Sequence, residues 1–268
     1  MSLRNASGLT RALSSFLLAG RITIAPNFQV PSWVPDWAQG AKRAPFALAL
    51  HRPYATCGPP GMFEPQVTSI PTQDVDDGIL IIRCVLIGSV KALRRPNRHL
   101  RVSLRSAREL LRSSWLELQR RYGDPTDAVA RTLIADSTFF PSAKCSLGLD
   151  IEPVFERLVA ATEDVKGLDA DGEATPELLY STELQIYCDG RQLAMLDSFQ
   201  VGLVPSGSQE GDRVYVIEGP SVPLAFRGVG GPLNSGVVLV GDAYIHGIMY
   251  GELFAAGIQH PAELLGIR

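Results

Sequence analysis

The densest branched-apolar stretch in the chain is Ile79-Leu80-Ile81-Ile82-Arg83-Cys84-Val85-Leu86-Ile87, directly after the turn residues Asp76-Asp77-Gly78. Its near-continuous apolar content predicts a strand buried on both faces. The period then changes. Leu104, Ala107, Leu111, Trp115, Leu118 and Tyr122 recur at spacings of three and four, which predicts one apolar helix face with Arg105, Arg108, Glu109 and Arg112 elsewhere. Ser106 and Glu109 have capping-box spacing. Asp124 before Pro125 marks the start of a second helix running through Ala128–Ala135. A third helix is expected from Asp150 to Val165, closed by Gly167.

Beyond residue 180 the pattern reads as β. Glu183–Cys188 and Arg191–Leu196, joined by Asp189-Gly190, predict a hairpin. Short strands are expected at Gln200–Val204, Arg213–Ile217, Val222–Phe226, Val237–Val240 and Ala243–Met249. Residues 24–77 hold nine prolines between aromatic residues, which predicts extended segments and turns wrapped over a core. The fold class is therefore α+β: an antiparallel barrel or sandwich core, a helical middle section and a Pro-rich N-terminal wrap. The expected organisation is a single domain over 1–268, with a helical entry segment (1–30), Pro-rich segments and a core strand (31–90), a helical section (91–167) and a β-meander (181–254).

Composition narrows the function classes. A chain of 268 residues buries about 70–75% of its unfolded surface and needs no metal or disulfide to fold. The net charge of −3 argues against a nucleic-acid partner, which favours basic chains. No apolar run reaches the ~18 residues of a membrane span. Residues 12–20 loosely resemble a signal peptide, but Arg21 follows at once with no small-x-small cleavage site, so a packed helix is expected. Cys57, Cys84, Cys145 and Cys188 are widely spaced, with no C-x-x-C, which suggests free thiols and a cytoplasmic protein.

Charge is segregated. Lys91–Arg121 holds ten basic residues against two acidic, and Asp150–Glu183 holds ten acidic against two basic. Mutual contact or two solvated faces is the expected arrangement, and partner surfaces are the alternative.

Dedicated chemistry motifs are missing. His51, His99, His246 and His260 have no metal-ligand spacing, Gly-x-Ser-x-Gly does not occur, and Gly228-Val229-Gly230-Gly231 runs into Pro232 rather than a helix. No metal and no cofactor are therefore expected. What remains is an aromatic and polar set: Trp33, Asp36, Trp37, Arg227, Tyr244, His246, Tyr250 and Glu252. Strand alternation would put Tyr244, His246 and Ile248 on one face. Taken singly, each of these residues reads first as a structural one, the aromatics in the core and His246 as a satisfied buried imidazole.

Four blocks in order carry a family resemblance: Pro31-Ser32-Trp33-Val34-Pro35-Asp36-Trp37; Ile79–Val90; Ala128-Val129-Ala130-Arg131-Thr132-Leu133-Ile134-Ala135-Asp136; and a closing cassette. The cassette comprises Gly211–Ile217, Val222–Arg227 and Val240-Gly241-Asp242-Ala243-Tyr244-Ile245-His246-Gly247-Ile248-Met249-Tyr250-Gly251-Glu252. Together they resemble the region that follows the HET domain in fungal heterokaryon-incompatibility proteins. Only 30 residues precede the tryptophan motif, so the resemblance implies the β-rich half without its effector half.

Two functions emerge as expectations. The first is a stand-alone small-molecule-binding domain acting as a cofactor-independent cyclase or isomerase, pericyclase-like, in fungal secondary metabolism. Its partner would be an apolar metabolite such as a terpenoid or polyketide. His246, Tyr244 and Arg227 would be catalytic, with Trp33, Asp36, Trp37, Tyr250 and Glu252 binding substrate. The second is a non-catalytic regulatory or interaction module derived from an incompatibility protein.

Overall fold

A computed structural model describes residues 80–95, 100–136, 151–160, 172, 174–217, 220–229, 236–255 and 260–267. The Pro-rich wrap, the entry segment, Cys57 and Cys145 lie outside the described residues. The chain is α+β, as its periodicities predict. Strand β1 (Leu80–Arg94) leads into α1 (Leu100–Tyr122), α2 (Pro125–Leu133), α3 (Ile151–Ala160) and α4 (Pro176–Cys188). Strands β2 (Arg191–Leu196), β3 (Val201–Pro205), β4 (Arg213–Ile217), β5 (Leu224–Val229), β6 (Gly236–Asp242) and β7 (Tyr244–Ile245) come next. The short helix α5 (Glu252–Ala255) and strand β8 (Ala262–Ile267) complete the order.

β1 serves three partners in succession. Leu80–Val85 pairs with β8, Cys84–Ser89 with β4, and Val90–Arg94 with β2, all antiparallel. Register shifts at Leu86/Gly88 and Val90/Ala92 bend the strand between them. Gly88 sits close under the neighbouring turn: a Cβ there would lie 2.6 Å from Asp197 Oδ1, and that side chain would have to shift. The apolar segment is thus a strand, but it runs on through Lys91–Arg94, residues expected in the helical section.

The ladders close on themselves. β1, β4, β5, β6 and β8 form one ring, the last link being a parallel contact between Val237 and Ile267. β2 and β3 extend the other end of β1 to β7, which follows β6 after Ala243 alone, so a second ring shares β1, β4, β5 and β6. A closed sheet leaves few open edges.

Alternation sorts the strand side chains into two layers. Leu193, Met195, Val201, Leu203, Tyr215, Phe226 and Tyr244 join the larger cluster, which includes the buried faces of α1 to α4. Val90, Ala194, Leu196, Val204, Val214, Val216, Ala225, Val240, Ala243, Ile245 and Ile248 form an aliphatic cluster with no member from those helices. Each of these is at most 2% exposed, so small aliphatic side chains fill this face of the second ring.

Three local expectations are corrected. Glu183–Cys188 is the second half of α4, not a strand. Thr175 caps the helix by accepting the Leu178 amide at 3.2 Å, Pro176 opens it, and Tyr180, Leu184 and Tyr187 are buried at helical spacing. Asp189-Gly190 therefore turns a helix into β2, with Gly190 at φ 69°, rather than joining two strands. Ala243–Met249 is no seven-residue strand: β7 spans two residues, and Gly247 at φ 80° turns the chain away.

The third concerns α1. Its core face is Leu104, Ala107, Leu110 and Leu118, while Trp115 is 42% exposed. Ser114 breaks the helical dihedrals at φ −137°, and the Ser113 hydroxyl donates to the Leu110 carbonyl at 3.1 Å. Such back-bonding bends a helix and re-phases the residues after the bend. Ser106 is no cap either; buried within α1, it donates to the Arg95 carbonyl at 3.2 Å. Asp124 does cap α2 as expected, accepting the Thr126 amide at 2.8 Å.

Candidate functional site

Two surfaces stand out as candidates: the end of β7 against the α1–α2 junction, and the outer face of α1.

At the first, the pairing of Leu203 with Tyr244 and of Gly202 with Ile245 fixes β7 on β3. His246 follows at once, and its amide donates to the Val201 carbonyl at 2.9 Å. The Val201 amide in turn donates to the Tyr122 hydroxyl at 3.0 Å, so both backbone groups of one residue are clamped from α1 and from the β7 turn. The Tyr122 and His246 rings meet edge to face at 5.4 Å. The Tyr244 hydroxyl lies 3.3 Å from His246 Nδ1, the donor depending on the imidazole tautomer.

The electrostatics favour a neutral imidazole. Burial pushes His246 below its ordinary value; Arg131 adds to that, and the carboxylates of Asp136, Asp127 and Glu252 oppose it. Burial likewise raises the Tyr122 hydroxyl. Arg131 is held by Asp127 at 2.8 Å and by Asp136 at 3.1 Å. Ala135 and Asp136 both adopt positive φ, 51° and 47°, where the Asp136 amide donates to the Arg131 carbonyl at 2.8 Å. Two consecutive non-glycine residues in that region store strain beside the histidine. A neutral imidazole next to a phenol can exchange a proton with a bound group.

The structure brings Tyr244 and His246 together, though through the turn after β7 rather than a continued strand. Arg227 is occupied elsewhere. Its Nε and Nη2 reach the two Asp212 carboxylate oxygens at 2.8 and 2.7 Å, and Nη2 also donates to the Gly207 carbonyl at 2.6 Å. Tyr250 is exposed, with its amide donating to Glu252 Oε2 at 2.7 Å, a turn contact at the start of α5. Trp33, Asp36 and Trp37 lie outside the described residues. Among the described residues no three His, Cys, Asp or Glu side chains cluster as a metal ion would need.

Arg131, Asp136 and Asp212 fall in the blocks that carry the family resemblance, but the sequence reading marks neither them nor Tyr122 and Asp127 as site residues. The i, i+4 spacing of Asp127 and Arg131 was the available clue. A further buried ion pair joins Arg191 to Asp242 at 3.5 Å, with both side chains at most 1% exposed.

The second surface is the solvent side of α1. The helix contains six arginines, two glutamates and no lysine. Arg101, Arg105, Arg108 and Arg112 recur at spacings of four, three and four, opposite the buried Ala107 and Leu110, and all four are exposed. Val102, Trp115 and Leu116 are exposed apolar residues on the same helix, Leu116 at 65%. In the acidic segment Arg157 on α3 pairs with Glu177 on α4 at 2.6 Å, and among the described residues no carboxylate pairs with Arg105, Arg108 or Arg112. No described helix is long and apolar enough to cross a membrane.

Comparison with known proteins agrees with the closed sheet. Heterokaryon incompatibility protein 6, OR allele, of Neurospora crassa is 34% identical over 67 residues, which cover 25% of this chain and 10% of that protein. No solved structure matches. Residues 163–260, which hold α4, β2 to β7 and α5, match the model of the Het-6 beta-barrel domain, and that region of the chain is similar to it.

Proposed function

We propose that this chain is a non-catalytic interaction module related to heterokaryon-incompatibility proteins, and that it recognises its partner through the outer face of α1. The observation that carries this reading is the exposed arginine row with Trp115 and Leu116 beside it, mounted on a helix whose other face is locked into the core. Arginine and tryptophan are the residue types enriched in binding hot spots, and a rigid helix holds them at low entropic cost.

The remainder of the molecule supports a scaffold role. Arg227 is committed to Asp212, and an aliphatic layer fills the face of the second ring away from α1 to α4. A cofactor-independent cyclase or isomerase acting on an apolar metabolite is the second reading, favoured by the Tyr244–His246 contact.

One experiment separates them. In a strain whose phenotype depends on the gene, the triple variant Arg105→Ala/Arg108→Ala/Arg112→Ala is expected to fail to complement, while His246→Asn complements. The reverse pattern, rescue by the arginine variant and failure of a folded His246→Asn protein, overturns the interaction reading in favour of the enzyme.

A further inference from the structure

Resting on the interaction reading, we infer that the partner of α1 is an acidic helical segment of another protein, lying along the arginine row with an apolar side chain seated at Trp115–Leu116. Charge complementarity commits the surface to an anionic occupant: Arg105, Arg108 and Arg112 stand in solvent with no carboxylate paired to them among the described residues.

The residue choice selects among anions. A lipid headgroup layer attracts lysine and arginine alike through long-range charge. The cations of this face are all arginine, whose planar fork is shaped for two-point contact with single carboxylates.

The spacing selects the shape. The guanidiniums of Arg105, Arg108 and Arg112, at i, i+3 and i+7, face a partner whose carboxylates recur with the same helical period. The row from Arg105 to Leu116 is about 16 Å long, or some three helical turns. The break at Ser114 then turns Trp115 and Leu116 out of the core at one end of the row. That gives the complex a polar stripe and an apolar anchor, so the partner's direction along α1 is fixed as well as its charge.

The test uses the full chain and a synthetic peptide of about 20 residues with Glu at i, i+3 and i+7, followed one turn on by Leu-Phe. Micromolar binding by calorimetry is expected. It should weaken about tenfold or more in Arg105→Ala/Arg108→Ala/Arg112→Ala and in Trp115→Ala, and also when the peptide's Glu residues become Gln. Raising salt should weaken binding of the Glu peptide and leave that of the Gln peptide nearly unchanged. Because these side chains are exposed, circular dichroism of the variants should match the parent chain.

Failure of the peptide to bind, or binding that ignores the arginine substitutions, overturns the inference. So does arginine-dependent binding to phosphatidylcholine vesicles containing about one-third phosphatidylserine with none to the peptide. In each of these cases loss of complementation by the arginine variant leaves the interaction reading standing. Full complementation by that variant removes both.

Discussion

Arg227 forks onto Asp212, with Nε 2.8 Å from one carboxylate oxygen and Nη2 2.7 Å from the other. Asp212 is buried and also accepts the Gln209 amide at 2.8 Å, so the pair ties β5 to the 206–212 loop that enters β4. The hydrogen bonds to Asp212 hold the Arg227 guanidinium charge still more firmly than usual. Removing one partner of a fully buried pair costs about 3–5 kcal/mol, and the 24% exposure of the Arg227 side chain lowers that. Arg227→Ala should therefore destabilise by about 2 kcal/mol in urea unfolding, and Arg227→Lys should recover only part because it loses the fork. A variant as stable as the parent would show that the pair is not structural.

His246 supplies a pH dependence with a definite sign. Its native value lies below the ordinary 6.5, with burial as the main cause. As the pH falls through 6.5 the unfolded chain takes up a proton that the native imidazole still refuses, so stability drops on acidification through that window. Stability is fully present above the ordinary value and stops falling below the native one. His246→Gln removes this component. The difference in urea stability between the parent chain and His246→Gln should narrow from pH 7.5 to pH 5, and a difference independent of pH would sink the assignment.

Legibility in the sequence depended on how local each determinant was. Asp124 and Pro125 announce α2 because cap and first-turn chemistry act within four residues, and Arg213–Ile217 is β4 to the residue. Glu183–Cys188 fits a period of two as well as 3.6. The deciding contacts for α4 are remote: the Tyr180 hydroxyl donating to the Ala130 carbonyl at 2.8 Å and the Cys188 thiol reaching the Leu133 carbonyl at 3.4 Å. Trp115 sits on a regular apolar repeat until Ser114 breaks the phase. β8 has an exposed Leu264 beside a buried Leu265, and its identity comes from pairing with β1 rather than from its own pattern. At the site, Tyr244 and His246 are sequence neighbours and could be joined by eye. Tyr122 enters only because β3 brings Val201 beneath it, which no local pattern encodes.

The two described cysteines are inert by placement. Cys84 and Cys188 are buried, and burial pushes each thiol up to about 12, far from the thiolate form that reacts. Iodoacetamide at pH 8 should leave both unmodified in the native protein and label both in denaturant, as read by peptide mass spectrometry. Rapid native labelling of Cys188 would mean that the α2–α4 contact opens readily, since the thiol is enclosed there against the Leu133 carbonyl.

Ring closure at β3–β7 depends on one missing side chain. A Cβ on Gly202 would be driven into the Tyr244 carbonyl oxygen and the Ile245 side chain, so the strands can approach only if this position is glycine. Gly202→Ala must push β7 away, and overpacking of a closed sheet costs about 1–3 kcal/mol. In a chain of this size that lowers the melting temperature by roughly 2–5 °C. The displaced turn would also carry His246 away from Tyr122, so the imidazole should titrate closer to 6.5 in the NMR spectrum as burial is relieved. Gly228→Ala is the matched control: it also lies in a ladder strand, but nothing stands within 4 Å of its new Cβ. Its stability should change by no more than about 0.5 kcal/mol. Equal effects from the two substitutions would mean that backbone entropy, and not the close approach of β7, sets the cost, and the second ring would lose its strongest constraint.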